Sequence, residues 1–256
     1  MQEIIESGVP EDNFRASCAV RSVEQTGSSV LVTYTKADES TQVIEADRVV
    51  IACPKFIAQH IIDKIPEPQA AAISKLTYNA YVVANLLIDQ KMTLNQYDIY
   101  LLGDQNETFQ STEEASNHQG VTDVIIGQWA QSEESAPTNS VLTLYRPLPY
   151  TAGRGLIAAD GSFDTFSAQI SAQTPSILKA LGLEQAAVKE FRFARYGHPL
   201  PVAAPALLAD GVTELASKPI GGQIFFCNQD NWALPCIESA LGAALTAAHQ
   251  MGELPT

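Results

Sequence analysis

The stretch that most constrains this chain runs from Gly221 to Met251. A double glycine precedes the short apolar run Ile224-Phe-Phe-Cys227, the mark of a buried strand, and a polar turn closed by Pro235 opens a helix. The order is strand, turn, helix. Along the helix Ser239, Ala240, Ala243, Ala244, Ala247 and Ala248 recur at steps of three and four. Side chains this small admit a backbone or a flat ligand, and an Ala-rich helix packed on a sheet accounts for the same pattern. The helix start, near Ile237 to Ser239, presents amide groups and the positive end of the helix dipole to negative charge.

A second segment narrows the reading. Val20-x-x-Val23, a turn at Thr26-Gly27-Ser28, the alternating strand Val30 to Tyr34 and the run Val43-Ile-Glu-Ala-Asp-Arg-Val-Val-Ile-Ala-Cys-Pro54 read as a β-meander feeding a buried strand. Together the two segments resemble the flavin-containing amine oxidoreductases, the group that includes monoamine and polyamine oxidases, protoporphyrinogen oxidase and the phytoene desaturases. In that family a strand ending in phenylalanine and small residues leads into Gly-Asp or Gly-Glu, a variable turn and Glu-Gly-Ala-x-x-Ser-Gly-x-x-Ala-Ala. This chain carries Phe226-Cys227-Asn228-Gln229-Asp230 and then Glu238-Ser239-Ala240-x-x-Ala243-Ala244-x-x-Ala247-Ala248. Gln229, Ser239 and Ala244 stand where the family has glycine, so the likeness keeps size better than identity. The meander matches the family phrase "V-x-x-I … v-x-V … a-D-x-V-I-x-a-x-P".

The resemblance implies a fold of α/β and α+β type: part of a Rossmann-like FAD-binding domain with an inserted substrate domain on a mixed or antiparallel sheet. The expected divisions are 1–56 (meander and return strand), 57–217 (substrate domain) and 218–256 (C-terminal strand and helix of the FAD-binding domain). FAD is the implied cofactor. A backbone group at Val20 is expected at the adenine, Asp230 at the ribityl or diphosphate region, the turn Asn231, Trp232 and Leu234 at the isoalloxazine, and Ile237, Glu238 and Ser239 beside the reduced ring. Trp232 also reads as a core aromatic. Tyr196-Gly-His-Pro-Leu-Pro201 resembles the family's "r-W/Y-x-h-a-x-P" phrase, where Tyr196 and His198 would position an amine or shift its protonation. The other reading has His198 capping a turn between prolines and Tyr196 packing.

Two features are missing relative to the family. No strand, G-x-G-x-x-G and helix unit occurs, since Gly153-Arg-Gly155 lacks the third glycine and follows no strand. The chain is therefore expected to be the C-terminal portion of an FAD-dependent oxidoreductase that transfers hydride from an amine or similar substrate to flavin N5, partnered by the N-terminal segment or by another subunit. Met1 to Asp12 would be the remnant of the helix and linker leading out of that segment. The alternative is a non-catalytic module that binds a small molecule, or a subunit that has lost or borrows the nucleotide-binding unit. The second gap is a lysine: aligning Leu76 to Ala84 on the family phrase puts Val83 or Ala84 where the oxidases hold a water near the flavin. An acceptor other than dioxygen is then as plausible as an oxidase.

Between these segments the pattern is coarser. Phe56, Ile57, His60, Ile61 and Ile65, then Ala70, Ile73 and Leu76, fall at helical spacing, with His60 read as a packed histidine. Strands are expected at Ala80–Ile88, Asp98–Leu102, Thr122–Ala130, Ser140–Arg146 and Ala187–Arg195, with a long polar loop from Gly103 to Gly120. Ser162 is expected to cap one helix and Thr174-Pro175 to restart another that Gly182 closes.

A formal charge of −14 with 15 scattered Lys and Arg argues against nucleic acid. Cys18, Cys53, Cys227 and Cys236 form no C-x-x-C pair, so neither a metal site nor a disulfide framework is expected. No apolar run reaches the roughly 18 residues of a membrane span and Met1 to Glu6 lacks a leader pattern, so the chain as given is read as cytoplasmic.

Overall fold

The computed structural model describes residues 10, 13–92, 96–102, 108, 110–111, 114, 120–127, 138–148 and 153–252. The side chains of His198 and Pro199, most of the loop expected from Gly103 to Gly120, the last residues of the strand expected to reach Ala130 and nearly all of the Met1–Asp12 remnant lie outside the described residues. The chain forms two compact units, Met1–Leu76 with Val202–Thr256, and Thr77–Pro201. These limits differ from the divisions expected at 56 and 217. The physical reason is a side-chain clamp: Gln69, buried in a helix after the meander, donates from Nε2 to the carbonyls of Ala216 and Lys218.

In the first unit β1 (Ala19–Thr26), β2 (Ser29–Thr35) and β3 (Thr41–Ala46) form an antiparallel meander in that order. Gly27 takes the positive φ that a two-residue β1–β2 turn needs. Asp47 and Arg48 interrupt the apolar run, and β4 (Val49–Ile51) then pairs in parallel with β10 (Ile224–Phe226). All three β10 residues are buried, as expected of an apolar triplet between glycines and a polar turn. Val23, Val30, Ile51, Ala58, Ile62, Ile220, Ile224 and Phe226 make one core.

The remaining elements of this unit are helical. Pro54 precedes α1 (Lys55–Ile61), and Pro66 precedes α2 (Glu67–Ile73), the helix that carries Gln69. After the second unit come α5 (Pro205–Ala209), α6 (Val212–Ala216), a 3₁₀ turn at Gln229–Asn231 and the last helix, α7 (Ile237–Met251). Gly252 ends α7 in the left-handed conformation, and Arg48 donates to the Met251 carbonyl at 2.7 Å.

The second unit is an antiparallel sheet in the order β6 (Asp98–Tyr100), β7 (Asp123–Ile126), β8 (Ser140–Pro147), β5 (Tyr78–Ile88), β9 (Val188–Pro201). Ala80, Val82, Ala84, Leu86 and Ile88 alternate inward along β5, and with Leu142 and Leu144 they bury one face of the sheet. The residues between them, among them Tyr81 and Asn85, belong to the other face. The segment also includes α3 (Gly153–Ala158) and α4 (Ser162–Ala180), and α4 brings Phe166, Ile170, Ile177 and Leu178 to the same core.

Three local expectations are corrected here. Residues 162–180 form one helix, not two, although Pro175 lies inside it. Ile170, Thr174, Ile177 and Leu178 are buried on one face, so packing carries the helix past the missing amide; the Thr174 hydroxyl donates to the Ile170 carbonyl at 2.9 Å. Ser162 is not the cap: Gly161, left-handed, takes that place, and Ser162 Oγ donates to the Ile157 carbonyl. Gly182 does close the helix, with its N–H on the Lys179 carbonyl and that of Leu183 on Leu178, a Schellman arrangement. The third correction concerns β9, which continues through Tyr196 to Pro201 instead of ending at Arg195. β9 is an edge strand, where a proline without an N–H is tolerated.

Candidate functional site

The candidate site is built on the turn between β10 and α7. Asn228 opens it, its Oδ1 accepting the Asp230 N–H at 3.2 Å and its Nδ2 donating to the Ala52 carbonyl at 2.9 Å. Asn231 Nδ2 donates back to the Phe226 carbonyl at 2.8 Å. Ala233 then adopts φ 49°, a left-handed conformation unusual for a residue with a Cβ, and is buried. Its neighbours point outward: Trp232 is 48% and Leu234 49% exposed.

Trp232 lies across α7. A Cβ on Gly242 would sit 3.3 Å from two carbons of the indole ring, so glycine at that position lets the ring approach the helix closely. Asn231, Trp232 and Leu234 line one cavity of about 870 Å³, shared with Leu215 and Lys218 near α6 and with Thr246 on α7. Three of the expected cofactor residues are therefore brought to one hollow.

The α7 start behaves less uniformly. Ile237 is the most exposed of the three residues, at 76%, Glu238 is exposed, and Ser239 is buried. Ser239 Oγ is turned back to the carbonyls of Leu234 and Cys236. The N-cap residue, Cys236, contributes no side-chain hydrogen bond to the first turn. The small stripe is also divided: Ser239, Ala243 and Ala247 are buried, while the large residues Ile237, Leu241 and Leu245 face outward.

Asp230 is fully buried, and its Oδ2 accepts the Lys55 N–H at 2.7 Å, so this carboxylate faces the first turn of α1. Lys55 itself is fully buried, its Nζ donating to Asn231 Oδ1 and lying 5.5 Å from the centre of the Phe226 ring. Burial pushes the Lys55 ammonium down to about 8, against the opposing pull of Asp230 and, more weakly, Cys53 and Cys227. Sequence reasoning did not select Lys55. The available signal was a lysine placed directly after an apolar strand and a Cys-Pro step, where a charge has no exposed face to occupy.

That depressed value makes folding stability depend on pH in an unusual direction. Between about 8 and the ordinary lysine value the unfolded chain holds a proton that the folded chain has released, so stability rises with pH across that window. A Lys55→Met chain lacks this dependence. The difference in unfolding free energy between the two, measured by urea unfolding from pH 7 to 11, is expected to be flat below pH 8 and to shift by about 3 kcal/mol in favour of the Lys55 chain above it.

Val20 sits 42% exposed on β1, at the edge of the meander, where the β1–β2 register shifts between Val20 and Ser22. Tyr196 belongs to the second unit, on β9, 43% exposed and stacked on Tyr81 with ring centres 5.1 Å apart. Tyr145 lies 5.7 Å from Tyr81 on its other side. Burial raises the Tyr81 and Tyr145 hydroxyls above the ordinary tyrosine value; Tyr145 and Tyr196 add to the rise at Tyr81, and Tyr97, Tyr196, Asp123 and Asp98 to that at Tyr145. Nearby, Asp123 is raised by burial and by Asp98, and one oxygen of each carboxylate is buried without a hydrogen-bond partner among the described residues. No group of three or more His, Cys, Asp or Glu able to hold a metal ion occurs among the described residues.

A meander and a parallel strand pair followed by a helix, with an antiparallel sheet inserted between them in the sequence, make up a fold that this chain shares with solved amine oxidases. The chain belongs to the flavin-containing amine oxidoreductase family, whose model matches residues 1–251. Among solved structures it is similar to cyclohexylamine oxidase from Brevibacterium oxydans IH-35A, with TM-score 0.58 and 15% identity over 91% of this chain and 48% of that one. A redesign of cofactor binding in putrescine oxidase gives TM-score 0.57 and 13% identity over 93% of this chain and 49% of that one. A curated relative, the oxidoreductase PigB of Serratia sp. (strain ATCC 39006), is 22% identical over 207 residues, 80% of this chain and 30% of its own length. The chain thus spans about half or less of the relatives it matches. No helix among the described residues is long and apolar enough to cross a membrane.

The residues present fit part of a flavin. A helix start without a side-chain cap, bordered by exposed Trp232, Leu234 and Ile237, suits a flat apolar ring that gains negative charge at one edge. The sequence holds no glycine-rich phosphate cradle, and the Asp230 carboxylate is engaged on α1.

Proposed function

We propose that this chain is the C-terminal portion of an FAD-dependent oxidoreductase that takes a hydride from a carbon beside the nitrogen of an amine or similar small molecule. The observation that carries this reading is the uncapped α7 start beside the exposed Trp232 and Leu234 in a chain of the flavin family. FAD, when bound, supplies the hydride acceptor at N5. The first unit is assigned the cofactor: the amides of Ile237, Glu238 and Ser239 balance charge on the ring, Asn231, Trp232 and Leu234 border it, Asp230 fixes the turn on its ribityl side, and the Val20 backbone meets the adenine.

The second unit is assigned the substrate. Tyr196, stacked on Tyr81, and Tyr145, tilted against Tyr81, offer aromatic faces that attract an alkylammonium group, and the Asp98–Asp123 pair adds negative charge nearby. His198 is assigned the removal of the ammonium proton, since hydride leaves only from a carbon next to a neutral nitrogen. Val83 or Ala84 stands where the resemblance to the oxidases implies a lysine, so an acceptor other than dioxygen is as open to this chain as dioxygen.

The partner we propose is a nucleotide-binding polypeptide segment, joined to this chain or carried by another subunit. Among the described residues the β4–β10 sheet has two strands, and parallel pairs are stable when extended and covered on their faces. Ile237, Leu241 and Leu245 supply an apolar stripe of the kind such a segment covers.

The test is a titration of the chain with FAD, followed by flavin absorbance at about 450 nm and by Trp232 quenching. Weak binding is expected, because the diphosphate contacts are incomplete. Trp232→Ala is expected to weaken it by about tenfold, a loss near 1.4 kcal/mol. A chain that neither colours nor quenches at millimolar FAD, alone or with a co-expressed nucleotide-binding segment, would be the non-catalytic module instead.

A further inference from the structure

We infer that Lys55 is a positioning residue: its buried ammonium holds the Asn231–Leu234 turn in the shape that presents Trp232 and Leu234. The inference rests on the flavin reading only for its purpose, since the geometry belongs to the chain itself. Lys55 is the point where two separate segments of the first unit meet. Its backbone N–H donates to Asp230, its Nζ donates to Asn231 Oδ1, and the other end of the Asn231 amide is tied to the Phe226 carbonyl. Asn228 closes the loop through the Ala52 carbonyl, next to the strand end from which Lys55 departs.

What this network holds is a strained turn. Ala233 sits at φ 49° with a Cβ that disfavours that conformation, and such residues persist only where their surroundings over-determine them. The N–H of Ala233 reaches the Asp230 carbonyl at 3.2 Å, so the network that fixes Asp230 and Asn231 also fixes Ala233. A neutral residue of similar length fills the same volume and provides neither the charged donor nor the cation over Phe226. A buried charge that costs stability is in this case exchanged for one defined turn geometry.

The groups facing Lys55 are Asp230 from the turn, Cys53 two residues past β4 and Cys227 directly after β10. Burial raises both thiols, so around pH 8 the ammonium is the group of this cluster that titrates. Loss of its charge weakens the bond to Asn231, one residue from Trp232.

The experiment uses the full chain without added FAD, in a Trp129→Phe background, so that emission comes from Trp232. A step in Trp232 emission with a midpoint near pH 8 is expected. Lys55→Met is expected to shift emission to longer wavelength at pH 7 and to abolish the step. Lys55→Arg should keep the neutral-pH emission and show no step, because a guanidinium does not titrate there. Asn231→Leu, with Lys55 intact, is expected to reproduce the Lys55→Met emission, and the double variant to add nothing further. Should Lys55→Met not fold, the Asn231→Leu chain decides alone. A step that survives in Lys55→Met, or in Asn231→Leu, overturns the proposal, as do single effects that add fully. Failure of FAD to bind any of these chains counts against the flavin reading and leaves the emission result standing.

Discussion

Asp230→Ala is expected to destabilise the first unit by roughly 3–5 kcal/mol, the usual cost of removing one member of a buried charged pair. Asp230 is fully buried, its carboxylate accepts the Lys55 N–H, and its charge is the strongest pull keeping the neighbouring ammonium protonated. Removing it leaves a lysine in the interior without its main counter-charge and an α1 amide without its acceptor. The Asp230→Ala, Lys55→Met double variant should recover much of the loss, because the stranded charge goes with the lysine. Urea unfolding of the four chains at pH 7 measures this. Full additivity would mean that Asp230 stabilises the turn independently of Lys55, and the electrostatic account would fall.

Ile170→Ala is expected to cost about 2–5 kcal/mol, and the loss should appear in the second unit. Ile170 is fully buried in α4 among Phe166, Ile177, Leu178 and the inward residues of β5 and β8. The cost comes from lost apolar contact and from the cavity left where a helix meets a sheet that is held by strand pairing and cannot collapse onto it. The same variant also examines the continuity of α4, since Thr174 bonds the Ile170 carbonyl one turn before Pro175. Hydrogen exchange should show opening of amides in α4 and β5 with protection in β10 and α7 retained. Equal loss of protection in both units would show that they unfold as one.

The two units follow from residues that announce themselves locally. Alternation along Tyr78–Ile88 and the apolar triplet before Asn228 needed no distant partner to be read, because burial on one face of a strand imposes a period of two and burial on both faces imposes none. The family, too, was legible in the meander and the final strand, turn and helix, since those segments keep side-chain size where they change identity. Helix breaks were less legible. Pro175 reads as a stop, and only the buried face of α4 carries the helix past it; Tyr196 to Pro201 reads as a turn, and only an edge position lets β9 run through two prolines.

For the site the division is sharper. The sequence by itself determined that a polar turn with a tryptophan joins a buried strand to an alanine-rich helix start, because spacing and composition are local properties. It did not determine which side of that helix is covered or what the acid in the turn meets. Those were decided by packing: Ser239, Ala243 and Ala247 turned inward, Ile237, Leu241 and Leu245 were left outside, and Lys55, 175 residues before Asp230, became the donor to it. Tertiary structure alone decides such pairings, because a buried charge is stabilised by whichever opposite charge the chain brings within a few ångströms, and that proximity has no signature in sequence order.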